Sequence, residues 1–257
     1  MSTQSSTARS RSREQGSARF GIARVISKSG VCSRAAAELM VRAGRVELDG
    51  QLILDPQHSI AEHQRERVRI DGARLLVAVR CHIMLNKPRG GTTSTQDDRA
   101  RDTVYRCLEG SDLPWLAPVG RLDRASEGLL LLSNDSEWAA RITDPASHLA
   151  KTYHVQLARV PTPEDLAALR DGVVDADATL CAHSIDVLRS GSKTAWLEIV
   201  LLGGRNRQIR RMLATRDLAV LRLIRVAIGP LKLGTLSKGA WRRLEPHEVE
   251  AITWARP

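Results

Sequence analysis

Gly120-Arg121-Leu122-Asp123-Arg124-Ala125-Ser126-Glu127-Gly128-Leu129-Leu130-Leu131-Leu132-Ser133-Asn134-Asp135 holds a polar turn and an apolar run back to back. The four leucines are too few for a membrane span and lack a polar alternate, which predicts a strand buried on both faces. A carboxylate, Asp123, sits just before that strand in a glycine-bounded loop with Arg121 and Arg124 on either side. Neighbouring cations favour the ionised carboxylate, suited to act as nucleophile or base. A structural Arg–Asp pair in a turn accounts for the same residues when they are taken alone.

Outward from this stretch, the pattern is of many strands with a few helices between them. The stretch from Cys81 reads as a strand stopped by Pro88 and a Gly90-Gly91 loop. Ser136 to Asp144 reads as a short helix capped by Asp135 or Ser136, and Lys151 to Ala158 alternates as a strand. Thr162-Pro163-Glu164-Asp165 opens a helix running to about Asp171. Strands follow near Leu180 to Leu188, Ala195 to Leu202 and from Val226 through Trp241 to Leu244. Between them, Gly203 to Arg216 reads as a loop entering a basic helix whose apolar side is Ile209, Met212 and Leu213. An α+β domain on a mixed or antiparallel sheet, over residues 78–257, is the expected fold.

Ahead of it, residues 1–19 carry four Arg and one Glu among small polar residues and read as a flexible basic arm. Residues 20–77 read as a small helix-rich domain. Ile22, Val25 and Ile26 share one helical face ending at Gly30, and Ser33 caps a second helix, Arg34 to Ala43, closed by Gly44. Two short β pieces each end in Asp-Gly, at Asp49-Gly50 and Asp71-Gly72. Arg24, Lys28, Arg34, Arg42 and Arg45 crowd the helical half, where Glu38 is the only acid before Glu47. That tilts a solvated basic face toward phosphate contact.

The 257-residue chain has 39 Lys plus Arg against 29 Asp plus Glu, a formal charge of +10, with 33 of the basic residues Arg. Arg presents a planar fork suited to phosphate, so a nucleic-acid partner is expected; Arg-rich codon usage would produce the same total. Placement separates the two. Residues 204 to 225 hold seven Arg and one acid, net +6, against +5 for the whole of residues 78–257. A glycine-rich entry into a basic helix seats phosphate well. Four scattered cysteines without metal-type spacing read as buried free thiols of a cytoplasmic protein, and the seven His form no metal pair. Only three residues are Phe or Tyr, which argues against a stacking platform for single strands. No apolar run is long enough to cross a bilayer, and the start lacks the apolar core of a secretory signal.

Taken together, the segments resemble the pseudouridine synthases of ribosomal RNA, in the branch that carries an RNA-binding module at its N-terminus. The family's GRLDxxTxGLLLLTND stands here as residues 120–135, with Ser126 and Ser133 in place of Thr. Its NKPxG is Asn86-Lys87-Pro88-Arg89-Gly90, its KxY is Lys151-Thr152-Tyr153, and its GxNRQIRRM runs from Gly204 to Met212. A trailing match covers Leu223 to Arg242, and Gly203 stands where Glu is frequent. Gly30-Val31-Cys32-Ser33-Arg34 and Ala43 to Gly50 resemble the module named after small-subunit ribosomal protein four.

The resemblance implies isomerisation of uridine to pseudouridine with no cofactor, metal or cosubstrate. It implies Asp123 as the essential carboxylate, Arg210 paired with it, and Tyr153 stacked on a flipped uracil. Arg121 would fill the space the uridine leaves. An apolar residue among Leu223 to Val226 would close the base pocket. Arg24, Lys28, Ser33, Arg34, Arg45, Lys87, Arg205, Arg207 and Arg211 would contact RNA. Ribosomal RNA is the implied partner, the large subunit's by the Asn-Arg-Gln-Ile-Arg-Arg form of the third motif, and a monomer is the default. Two other readings stay open: a catalytically inert RNA-binding assembly protein, and a metal-dependent nuclease using Asp123, Asp135 and Asp144.

Overall fold

The computed structural model describes residues 18–94, 103–176 and 178–255. The basic arm lies almost wholly outside the described residues. The chain separates into two compact units, residues 1–77 and 78–257.

In the first unit β1 (Arg19–Gly21) leads into α1 (Ile22–Lys28), followed by α2 (Arg34–Arg42), β2 (Val46–Leu48), β3 (Gln51–Ile53), β4 (Ser59–Ala61), β5 (Val68–Ile70) and β6 (Ala73–Arg74). Ser33 accepts a hydrogen bond from the Ala36 amide (3.0 Å) and so caps α2. Both Asp-Gly pairs adopt positive φ, at 55° and 79° for Asp49-Gly50 and at 50° and 79° for Asp71-Gly72. Two such residues in a row are what a tight hairpin needs, and they join β2 to β3 and β5 to β6. The result is an antiparallel sheet in the order β3-β2-β5-β6. Ile22, Val25 and Ile26 of α1 pack with Ala37, Val41, Val46 and Val68 into a core belonging to this unit alone. Sequence patterning finds both helices and two of these strands; the short partner strands carry too few residues to show a period.

In the second unit β7 (His82–Lys87), β8 (Ala117–Val119), β9 (Glu127–Ser133), α3 (Ser136–Thr143), β10 (Lys151–Leu157), α4 (Pro163–Asp171), β11 (Val173–Asp175), β12 (Ala178–Leu180), β13 (Ser184–Ser190), β14 (Ala195–Leu201), α5 (Gln208–Ala214), β15 (Val220–Ile228), β16 (Leu231–Lys232), β17 (Trp241–Arg243) and α6 (Pro246–Trp254) follow in order. A nine-stranded mixed sheet runs β13-β14-β10-β15-β9-β7-β17, with β16 on β15 and β8 on β9. The fold is α+β, as expected. Every residue of β9 is buried. Leu129 and Leu131 enter a core shared with Trp138 and Ile142 of α3 and Ile252 of α6. Leu130 and Leu132 enter the opposite core with Tyr153, Val155, Leu197 and Met212. Two covered faces explain the unbroken leucine run.

One junction in this sheet is parallel. Glu127 and Gly128 of β9 lie opposite Ile224 and Arg225 of β15. Gly128 has φ of +99°, and a Cβ there would stand 2.3 Å from the Arg225 carbonyl oxygen. Only glycine lets the two strands meet here. Glu127, itself buried, receives two hydrogen bonds from Arg222 (3.1 and 3.0 Å) and one from Lys238 (2.6 Å). Burial would raise its pKa, but these cationic donors outweigh that and hold it below the ordinary value.

Three differences from the sequence reading stand out. The stretch from Leu180 to Leu188 is two strands, β12 and β13, rather than one. Helix α6 was not expected, although Glu245, Pro246 and Glu248 form its first turn, with Glu248 accepting from the Glu245 amide (2.9 Å). Cys181 is exposed and Cys107 half-buried, so only Cys32 and Cys81 fit the expectation of buried thiols. No described helix is long and apolar enough to cross a membrane.

Candidate active site

The Asp123 loop leaves β8, turns at Gly120 (φ +76°) and enters β9. Its carbonyls are held one after another. The Thr93 hydroxyl donates to Leu122 O (2.7 Å), and Lys87 Nζ donates to Asp123 O (3.2 Å) and Ser126 O (2.8 Å). The Gly90 amide donates to Arg124 O (2.8 Å), and Arg210 Nη2 donates to Ala125 O (3.2 Å). Five consecutive peptide oxygens are thereby fixed by four residues from two other parts of the chain, 87–93 and Arg210. A loop so held presents its one free carboxylate at a defined place.

Lys87 is fully buried beneath this loop and also donates to Pro88 O (3.1 Å). Burial lowers its pKa to about 8, with the charges of Asp123 and Glu127 opposing part of that fall. This corrects the expectation that Lys87 contacts RNA: a side chain with no exposed surface cannot reach a phosphate. The expected Arg210–Asp123 pair is also corrected. Arg210 spends one nitrogen on the loop backbone, and its Nε is buried without a partner. Burial lowers the Arg210 pKa, and the nearby Arg207 charge adds to the shift. The cation on the carboxylate is instead Arg207, whose Nη1 stands 3.6 Å from Asp123 Oδ2. Arg207 precedes α5 with left-handed backbone (φ 49°), a conformation unfavourable for a residue with a Cβ.

Asp123 opens onto a cavity of about 230 Å³. Its apolar walls are Leu201, Leu223 and Ile228; Tyr153 stands on its floor, and Arg121, Arg205 and Arg207 lie along it. Leu223 is thus the lining residue within the stretch expected to close a base pocket. Tyr153 is buried and belongs to the hydrophobic core. A second recess, more polar and of about 340 Å³, shares Arg121, Asp123, Arg205 and Arg207 and adds Thr93 and Arg124. The carboxylate therefore lines two adjoining recesses that combine apolar side chains with several arginines. Such an arrangement suits a planar uncharged group carried on an anionic backbone.

Arg211 does not share this cavity; it is turned to β11, where it is ion-paired with Asp175. In the first unit Arg24 and Lys28 lie over the Phe20 ring at 4.6 and 5.5 Å, Arg34 pairs with Glu38 (3.1 Å), and Arg45 is held by Asp71 through two hydrogen bonds. Asp135 caps α3 and pairs with Arg80, and Asp144 caps the turn at Pro145–Ser147, so neither shares a site with Asp123. Sequence reading passed over Thr93 and Arg225, and gave Lys151 no role beyond its place in the Lys151-Thr152-Tyr153 motif. Lys151 and Arg225 line the cavity, and a strand-period reading of Lys151, Tyr153 and Val155 places Lys151 on the same face as Tyr153.

The family model described as RNA pseudouridylate synthase matches residues 81–215. An uncharacterized RNA pseudouridine synthase of Rickettsia prowazekii (strain Madrid E) is 35% identical over 231 residues, covering 89% of this chain and 96% of the relative. One of Mycobacterium tuberculosis (strain ATCC 25618 / H37Rv) is 36% identical over 240 residues, covering 88% and 90%. The crystal structure of a pseudouridylate synthase superposes with a TM-score of 0.64 at 26% identity, over 91% of this chain and 99% of that one. With half the chain matched by the family model and relatives aligned nearly end to end, the chain belongs to the RNA pseudouridylate synthase family and is an isomerase acting on RNA.

Proposed function

We propose that the chain converts uridine to pseudouridine in ribosomal RNA, the large subunit's in particular, with Asp123 as its essential carboxylate. The observation that carries this reading is that Asp123, Tyr153, Leu223 and the arginines Arg121, Arg205 and Arg207 line one cavity. A uridine flipped out of the RNA enters the slot, stacks on Tyr153 and packs against Leu223, while Arg121 occupies the gap in the RNA. Extrusion costs a few kcal/mol, offset by stacking and by phosphate contacts. Arg205 and Arg207 meet the backbone at the entry. Arg210 acts through the loop, as a positioning residue on the Ala125 carbonyl. The reaction rearranges one nucleotide into its isomer, so its balance calls for no cosubstrate.

Residues 20–77 serve as the RNA-binding module, of the type named after small-subunit ribosomal protein four, with Arg24, Lys28 and Ser33-Arg34 toward the RNA. The protein works as a cytoplasmic monomer. Asp123→Asn keeps the loop's shape and removes the charge. Pseudouridine in large-subunit RNA, mapped by carbodiimide chemistry, is expected to disappear at one site in cells carrying only this variant. Full modification in those cells would overturn the assignment, and a lost site in small-subunit RNA would move the target.

A further inference from the structure

We propose that Lys151 and Arg225 form a cationic floor to the cavity that takes up the negative charge developing on uracil as its bond to ribose breaks. The inference rests on the uridine-to-pseudouridine reaction.

Arg225 is 4% exposed, and Lys151 is half-buried. Both line the cavity that Asp123 opens onto, from adjacent strands. Tyr153 lies directly opposite Arg225, and Lys151 lies opposite Ile228 across a bulge, close enough for the Arg225 charge to act on it. Their hydrogen bonds go to carbonyls only: Lys151 Nζ to Leu149 O (2.9 Å) and Arg225 Nε to Leu129 O (2.8 Å). Arg225 Nη2 has no partner at all. Among the described residues, neither is in an ion pair with a carboxylate. The buried carboxylates of this unit differ, whereas buried Lys87 likewise donates only to carbonyls. Glu127 has Arg222 and Lys238, and Asp165 has Arg159 and Arg216. Burial lowers the Lys151 pKa and the charge of Arg225 lowers it further. Two like charges in a low-dielectric cavity destabilise the empty site, and an anion arriving between them removes that cost.

The reaction supplies such an anion. When the C1′–N1 bond breaks, its electron pair leaves with the base, and the charge spreads over N1, O2 and O4. The ring turns, C5 bonds to C1′, the C5 proton is lost and N1 is protonated. If Asp123 instead adds first to the ring, the same oxygens carry the charge of the adduct. A phosphate is the less suitable occupant, because apolar Leu201, Leu223 and Ile228 line the same cavity.

The test uses 5-nitrouracil, a ring anionic at neutral pH, titrated against the full chain beside neutral uracil and inorganic phosphate. The wild type is expected to bind the nitrouracil anion at least about tenfold more tightly than uracil. Lys151→Gln and Arg225→Gln should lose that preference, and Lys151→Arg should keep it. Single-turnover pseudouridine formation should fall about 10²-fold in the Gln variants with RNA affinity unchanged. Lys151→Gln alone decides the matter if Arg225→Gln does not fold. Equal affinity for the two rings, uptake of neither, a preference that survives Lys151→Gln, or phosphate competing as strongly as nitrouracil would each overturn the floor. A wild type that prefers the anion yet makes no pseudouridine overturns the reaction instead.

Discussion

At the scale of single residues, the site is built by groups that do not all face the substrate. Lys87 is the clearest case: a cation is buried to tie down the backbone beneath Asp123. Its depressed pKa fixes a pH dependence whose sign runs opposite to that of a salt-bridged lysine. Below about pH 8 it is charged whether folded or unfolded, and the cost of burying the charge is fully present. Between about 8 and its ordinary 10.5 the folded chain gives up the proton first, so stability from this group rises with pH. Thermal melts of wild type and Lys87→Met across that window should show the wild type gaining relative to the variant. At pH 7 the variant leaves the Asp123 and Ser126 carbonyls short of a donor, at about 1–3 kcal/mol each. Arg207 separates stability from activity. Replacing it with glycine relieves about 1 kcal/mol of left-handed strain and removes the cation beside Asp123. Arg207→Gly should therefore melt no lower than the wild type while its pseudouridine formation falls by tenfold or more, read in one melt and one modification assay.

At the scale of elements, the parallel contact of β9 with β15 brings the Asp123 loop to the Tyr153 face. Gly128→Ala places a methyl carbon against the Arg225 carbonyl, a collision no rotamer relieves. A loss above about 4 kcal/mol, seen as a failure to accumulate soluble protein, is expected. Soluble Gly128→Ala with an unchanged melt would mean the junction yields. Much of this was legible in advance. The Leu129–Leu132 run predicts a doubly covered strand, Thr162-Pro163 a helix start, and both Asp-Gly pairs hairpin turns, because each signal is local. What was not legible depends on partners far along the chain. Nothing near Lys87 announces that it faces three carbonyls rather than solvent. The choice of Arg207 over Arg210 for Asp123 turns on the strained backbone before α5. Lys151 and Arg225 become neighbours only through the pairing of β10 with β15.

At the scale of the whole molecule, the cations behind the charge of +10 are engaged in different ways. In the first unit Arg34 and Arg45 are already spent on Glu38 and Asp71, whereas Arg24 and Lys28 lie along one aromatic ring. A double variant, Arg24→Ala with Lys28→Ala, should reduce the slope of log affinity against log salt for RNA binding by about 1–2. Arg45→Ala should change it less; equal changes would show that the carboxylate partner is no obstacle to phosphate contact. The position of β15 has a consequence for timing. It lies mid-sheet, yet it is made after β7, β8, β9, β10, β13 and β14. Until residues 220–228 emerge from the ribosome, the β13-β14-β10 group and the group around β9 each present an unfilled edge. The same delay keeps Asp123 apart from the face that carries Tyr153, so on the proposed assignment a nascent chain, though translated amid ribosomal RNA, stays inert until residues 220–228 are made.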